Sequence, residues 1–209
     1  LVDETPPLFA SAGRGMSNSG DWLTPQVNGI FRFDKPPFYY WLMAIFYSIP
    51  ANESWDELGS LSARLPSALS TLLLMMIIAD TVFCSTGNNK DKISLSLIAS
   101  LSFVLSPLII IWSRTAVSDS LLCATLGVSL LSFWRKISSE DESVCIIPWL
   151  FLAIGILTKG PVAFVIIFTT LFSFFFTHKN WKKLLLKINP GKGLLITFLI
   201  SSPWYVLQF

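Results

Sequence analysis

Asp3 and Glu4, Asp34 and Lys35, Arg114 and Asp119, and Lys159 stand beside long apolar segments. An ionisable group in such a place is costly and is therefore a candidate for function. Carboxylates of this kind serve as general bases. Lysine and arginine beside them neutralise a phosphate as its charge develops. Taken by type and placement, the set suits an anionic substrate held at a membrane surface, and it does not by itself name a reaction.

Each of these residues also has a plainer use. Asp3 or Thr5 would cap a helix opening at Pro6, since Asp and Thr suit that position and Pro suits the first turn. Arg114 and Asp119 would serve as a topology marker and a helix cap. Lys159, alone between two short apolar segments, is either a snorkelling anchor or a positive charge kept for a purpose. Asp80 reads as a boundary residue near the end of its helix. The single histidine, His178, falls in a different loop. A Ser/His/Asp triad or a histidine-rich metal centre is thereby excluded among these residues. Cys84, Cys123 and Cys145 are widely spaced in or beside apolar helices and act as small hydrophobes. No Gly-rich or Walker-type phosphate loop occurs.

The elements that must carry these charges follow from composition. The 209 residues are 53% hydrophobic, 14% aromatic and 13% charged, with a mean hydropathy of +0.63. A soluble domain carries about 25% charged residues. Three cysteines are too few for a disulfide scaffold, and the apolar excess with a net charge of only +2 rules out disorder. The fold class expected is all-α, a polytopic transmembrane helical bundle. The opening at Leu1 and the apolar run to Phe209 read as a piece of a longer chain, lacking a preceding helix and something C-terminal.

A span needs about 20 apolar residues. Candidates are Ala63–Cys84, Ile93–Trp112, Ser118–Trp134, Val144–Thr158, Pro161–Thr177 and Gly193–Phe209. Val144–Thr177 as one helix would be about 50 Å long with Lys159 inside it, so two short helices meeting at Lys159-Gly160-Pro161 are expected. Nine of the fifteen basic residues then fall in three loops on one side: Lys90, Lys92, Arg135, Lys136, Lys179, Lys182, Lys183, Lys187 and Lys192. This asymmetry places those loops inside and Leu1–Ser62 outside. The stretch His178–Lys192 is expected to anchor to anionic lipid rather than to nucleic acid.

Two regions result. Leu1–Ser62 is an outer loop of short amphipathic pieces, and Ala63–Phe209 is the helical core. In the loop, Leu8, Phe9, Ala12 and Met16 recur at near-helical spacing, weakened by Gly13 and Gly15. Ser19-Gly20-Asp21 and Asn28-Gly29 signal turns. Pro36-Pro37 opens an aromatic helix through Tyr47, suited to lie along the interface.

Several short motifs now stand in order: Asp3-Glu4-Thr5, Ser19-Gly20-Asp21-Trp22, Asn28-Gly29 and Asp34-Lys35-Pro36-Pro37-Phe38-Tyr39-Tyr40-Trp41. They are followed by Ala63-Arg64-Leu65-Pro66-Ser67, Arg114 to Asp119, Thr158-Lys159-Gly160-Pro161 and Pro203-Trp204-Tyr205. With the helices between them, they resemble the polytopic GT-C glycosyltransferases. The nearest branch is that of the bacterial aminoarabinose transferases, relatives of the polyprenyl- and dolichyl-phosphate-mannose protein mannosyltransferases. The resemblance implies a multi-helix core with two outer-face helices after a first span. It implies an integral enzyme of the inner membrane, with its active site facing the periplasm. Such an enzyme moves a sugar from a polyprenyl-phosphate donor to a lipid, glycan or protein acceptor with inversion.

Under that resemblance Asp3 corresponds to the base and Asp119 to a second catalytic carboxylate. Asp34, Lys35, Glu4, Arg114 and Lys159 would contact substrate, with Lys35 near the donor phosphate. Two departures stand out. Pro6-Pro7 replaces the Arg-Tyr common after Asp-Glu-Thr, and Asp34 replaces the usual Glu. No metal ligand is assigned and no cofactor is certain; a divalent metal stays open, while the contacts reported at that Glu in the family are not carried over. The rivals are a flippase of polyprenyl-linked sugars, which would spread charge through mid-membrane, and a non-catalytic scaffold.

Overall fold

The computed structural model describes residues 5–50, 55–87, 90–139 and 145–208. Asp3 and Glu4, like the expected span ends Val144 and Phe209, lie outside the described residues.

The first described element is α1 (Thr5–Ser19), which buries Phe9, Ala12 and Met16 of the expected stripe and Gly13 beside them, while Leu8 is only half-buried. Gly13 is there for contact: a Cβ would lie 2.7 Å from that of Met43, so glycine lets α1 rest directly on α2 (Phe38–Tyr47). Between them Asn28 (φ 53) and Gly29 (φ 76) close a hairpin of β1 (Gln26–Val27) and β2 (Ile30–Phe31), in the register Val27↔Ile30. A two-residue hairpin turn of that hand needs positive φ at both positions, which Asn-Gly supplies.

The core is built on α3 (Ser60–Ser85) and α6 (Ser118–Ser138), the two helices that are each long and apolar enough to cross a membrane. They meet where Leu74 of α3 lies against Gly127 of α6 and clusters with Ala124 and Val128, and Ser67, Ser70 and Thr71 are buried on α3. Hydroxyls in such faces turn back to helix carbonyls, as Ser70 does to Pro66 at 2.6 Å and Thr71 to Ser67 at 3.0 Å.

The segment expected as one straight span, Ile93–Trp112, is instead α4 (Lys92–Val104) and α5 (Pro107–Ser113), bent by 67°. Pro107 causes the break. It forces Ser106 to an extended ψ of 128°, because the residue before proline is driven out of the helical region.

Two short helices meet at the glycine as expected. α7 (Ile147–Lys159) and α8 (Val162–Thr177) are joined through Gly160 at φ 76. After α9 (Trp181–Lys187) a 44° bend leads to α10 (Pro190–Gln208). There Gly193 sits against Trp149, where a Cβ would fall 2.0 Å from the indole. The end of α10 returns to the segment after α1: Trp204 Nε1 and Gln208 Nε2 both donate to the Leu23 carbonyl, at 3.1 and 2.8 Å.

Candidate active site

Three elements bring the charges to one face. The first is the loop between β2 and α2. Arg32 grips Asp34 with two hydrogen bonds, Nε to Oδ1 at 2.9 Å and Nη2 to Oδ2 at 3.0 Å, the fork that a planar guanidinium makes with a carboxylate. Burial is the largest single influence on Arg32 and works against its charge, but the bond to Asp34, that carboxylate's charge and Tyr40 together outweigh it and raise the pKa. Lys35 Nζ lies 5.5 Å from the centre of the Phe9 ring, a cation–π contact. Phe9 itself packs against Tyr39 and Tyr40 with ring centres 5.3 and 5.1 Å away.

The Tyr40 hydroxyl is buried with no well-formed hydrogen bond among the described residues. Burial, reinforced by the Asp34 charge, pushes its pKa up to about 12. The phenol therefore stays neutral beside Asp34.

The second element is the start of α6. Asp119 sits in its first turn, where the positive end of the helix dipole favours a carboxylate. The third is the end of α7, where Lys159 is the last helical residue. Lys159 Nζ donates to Asp119 Oδ1, and both side chains keep about a third of their surface exposed, 30% and 31%. The sequence placed these two residues in separate turns; the fold joins them. The pair remains open to a ligand on its exposed side.

A buried chain of hydroxyls registers the first element against the second. Ser67 Oγ donates to the Val117 carbonyl at 3.2 Å, so its one proton is spent. The Tyr39 hydroxyl, 2.7 Å away, must then be the donor in their shared bond. Val117 precedes Asp119 by two positions. Burial raises the Tyr39 pKa, and the Asp119 charge adds to the rise, so α2 and the Asp119 turn are electrostatic neighbours. Arg114 ends α5, exposed, and makes no side-chain hydrogen bond or ion pair among the described residues.

Two cations were not among the sequence candidates. Arg14 and Arg64 line a cavity of about 620 Å³ with Pro6, Pro7, Tyr47 and Ala116. Arg14 Nη2 donates to the Leu58 carbonyl at 3.2 Å, and its guanidinium lies 5.1 Å from the Tyr47 ring centre. Tyr47 donates to the Gly59 carbonyl at 2.7 Å. The signal was present: Arg14 is the one charged residue in α1, and Arg64 stands in the first turns of an apolar helix. Among the described residues no three His, Cys, Asp or Glu side chains converge as a metal site. Both Asp34 oxygens are occupied by Arg32. Among the described residues this donor set does not fit a divalent ion.

Comparison with known proteins decides the family. Residues 34–206 match the family described as Dolichyl-phosphate-mannose-protein mannosyltransferase. The chain belongs to that family. An uncharacterized protein of Aquifex aeolicus is 29% identical over 202 residues, 97% of this chain and 38% of the relative. An undecaprenyl phosphate-alpha-4-amino-4-deoxy-L-arabinose arabinosyl transferase of Pseudomonas fluorescens is 26% identical over 208 residues, 98% of this chain and 35% of that protein.

The fold is that of ArnT from Cupriavidus metallidurans. The apo structure superposes with a TM-score of 0.83 at 24% identity, over 99% of this chain and 37% of that one. The structure bound to undecaprenyl phosphate gives 0.81 at 23% identity, over 95% and 36%. The chain thus spans well under half the length of the relatives it matches. As a member of this family it is an all-α membrane protein.

Proposed function

We propose that the protein is an integral-membrane glycosyltransferase that moves a sugar from a polyprenyl-phosphate donor to an outer-face acceptor with inversion. The observation that carries the reading is the gathering of Lys35, the Arg32–Asp34 fork and the Lys159–Asp119 pair at one end of the helices. A membership that includes undecaprenyl-phosphate aminoarabinose transferases supports it.

Inversion requires a base on the acceptor hydroxyl and stabilisation of the departing phosphate. Asp3, immediately before α1 in sequence, is assigned as the base. Its ordinary pKa of about 3.9 makes it weak toward a hydroxyl, so the proton moves late, as the new glycosidic bond forms. The bond from the anomeric carbon to the phosphate oxygen breaks, and the charge appearing on that oxygen is met by Lys35 and Lys159. Asp119 holds Lys159 in place until the lipid phosphate competes for it. Arg114 and Glu4 contact the substrates at the rim. The transferred unit is hexosyl or pentosyl, and the acceptor is a lipid, glycan or protein. The site faces the periplasm from the inner membrane.

The test uses the full-length protein in vesicles, with radiolabelled undecaprenyl-phosphate aminoarabinose as the first donor and other polyprenyl-phosphate sugars after it. Wild type should release label from the lipid. Asp3→Asn should lose about 10²- to 10⁴-fold in rate, the usual share of a general base, with donor binding kept. Label that crosses the bilayer yet stays on its lipid in both forms would identify a flippase instead.

A further inference from the structure

Tyr40 is a buried group that the reaction leaves unused. Its side chain is fully covered and backed by Phe9, with 5.1 Å between ring centres, so the ring is held in place. Its hydroxyl has no hydrogen-bond partner among the described residues. A buried donor left unmade is costly, whereas an apolar group of the same shape leaves nothing unsatisfied. Phenylalanine would therefore suit the packing better, and the hydroxyl calls for another use.

The groups that act on it are the two halves of the fork. Asp34 and Arg32 are its charged neighbours, and Tyr40 acts in turn on Arg32. The proton of a neutral phenol suits a carboxylate, but Arg32 takes both Asp34 oxygens. That fork is breakable. Its side chains are 23% and 46% exposed, and a pair open to water gains little. The Arg32 amide donates to the Pro25 carbonyl at 2.8 Å, so its guanidinium can swing while the loop stays pinned.

The reaction itself supplies the pull. The intact donor is a phosphodiester with a single negative charge. When its bond to the anomeric carbon breaks, the electron pair stays on the phosphate oxygen. The lipid is left as a monoester carrying about −1.5 to −2 charges at pH 7. Lys35, next to Asp34 in the chain, meets that phosphate, so the added charge appears beside the fork.

We propose, resting on the glycosyltransferase reading with the phosphate at Lys35, that Tyr40 is a positioning residue for the departing phosphate. As the second charge develops, Arg32 turns from Asp34 to the phosphate, and the Tyr40 hydroxyl takes its place on Asp34. The hydrogen bond missing from the free protein is then made only on the way to the doubly charged leaving group. Such a contact favours the transition state over the bound donor. Tyr40 never touches the lipid; it acts through Asp34 and Arg32.

The experiment takes the full-length protein in nanodiscs, as wild type, Tyr40→Phe, Asp34→Asn and the double variant. Binding of undecaprenyl phosphate is compared with that of the polyprenyl-phosphate sugar that wild type turns over, alongside melting and steady-state kinetics. Tyr40→Phe should melt no earlier than wild type and bind the intact donor equally well. It should bind undecaprenyl phosphate about tenfold more weakly, the share of a hydrogen bond to a charged group, with kcat reduced by a similar factor and KM kept. In the Asp34→Asn background the same substitution should add little, because it acts through that carboxylate. Equal losses for donor and product, no loss for either, or an earlier melt, as when a bound water satisfies the hydroxyl, would each overturn the proposal. A wild type that binds neither undecaprenyl phosphate nor any polyprenyl-phosphate sugar would instead overturn the glycosyltransferase reading beneath it.

Discussion

Lys159 is the residue whose role depends most on its partner. A lysine and an aspartate, each partly exposed, gain little from pairing alone, on the order of 1 kcal/mol or less. The pair is therefore weak enough to yield to a phosphate. Lys159→Met should raise the donor KM, and Asp119→Asn should change it less. In the double variant the losses should fall short of the sum, because both act through one contact; steady-state kinetics of the four forms checks this. Ser67→Ala makes a different demand. It leaves the buried Tyr39 hydroxyl without an acceptor, a cost of about 1–3 kcal/mol. The variant should melt earlier in detergent and, by loosening α2 against the Asp119 turn, turn over more slowly. Asp34 and Asp119 stood out in the sequence by their position beside apolar segments. That Arg32 would fork Asp34 two positions away was not legible there, since it depends on the exact course of one loop, nor that Lys159 would find Asp119 across 40 positions, which depends on how distant helices cross.

Among the elements, the start of α3 shows how the N-terminal region is tied to the core. Asp56 accepts from the Leu61 and Ser62 amides at 3.0 and 2.7 Å, satisfying donors that a helix N-terminus leaves open. Burial alone would raise its pKa, but those backbone bonds outweigh it and hold it below the ordinary value. The sign follows: the cap stabilises at pH above the ordinary aspartate range and is lost as pH falls through the depressed value. Asp56→Ala should lower the melting point near neutrality by an amount worth about 1 kcal/mol, and the gap to wild type should close in acid. Gly193→Ala should destabilise by about 1–3 kcal/mol through overpacking against Trp149, read by thermal unfolding. Periodicity and turn residues made α1, α2, the turn at Asn28-Gly29 and the α7–α8 corner legible beforehand, but not the two short strands around that turn. The break in the α4–α5 segment was also written there, in Pro107, but an unbroken apolar run concealed it. Gly13 was misread as a weakness because only the packed structure shows Met43 against it.

At the scale of the whole molecule, the charge asymmetry makes a topological claim. Reporters fused after Lys92 and after Lys159 should report opposite sides of the membrane. The same side for both would dissolve the common face on which Lys35, Asp119 and Lys159 are gathered. The helix lengths have a further consequence. At 1.5 Å per residue, α6 with 21 residues is about 31 Å long, but α7 with 13 and α8 with 16 reach only about 20 and 24 Å. A hydrocarbon slab of about 30 Å cannot be matched by that hairpin, so the bilayer must thin locally beside it or its ends must draw headgroups inward. Hydrophobic mismatch would then bring the lipid–water boundary down to Lys159, and a phosphate could arrive there without leaving its own leaflet.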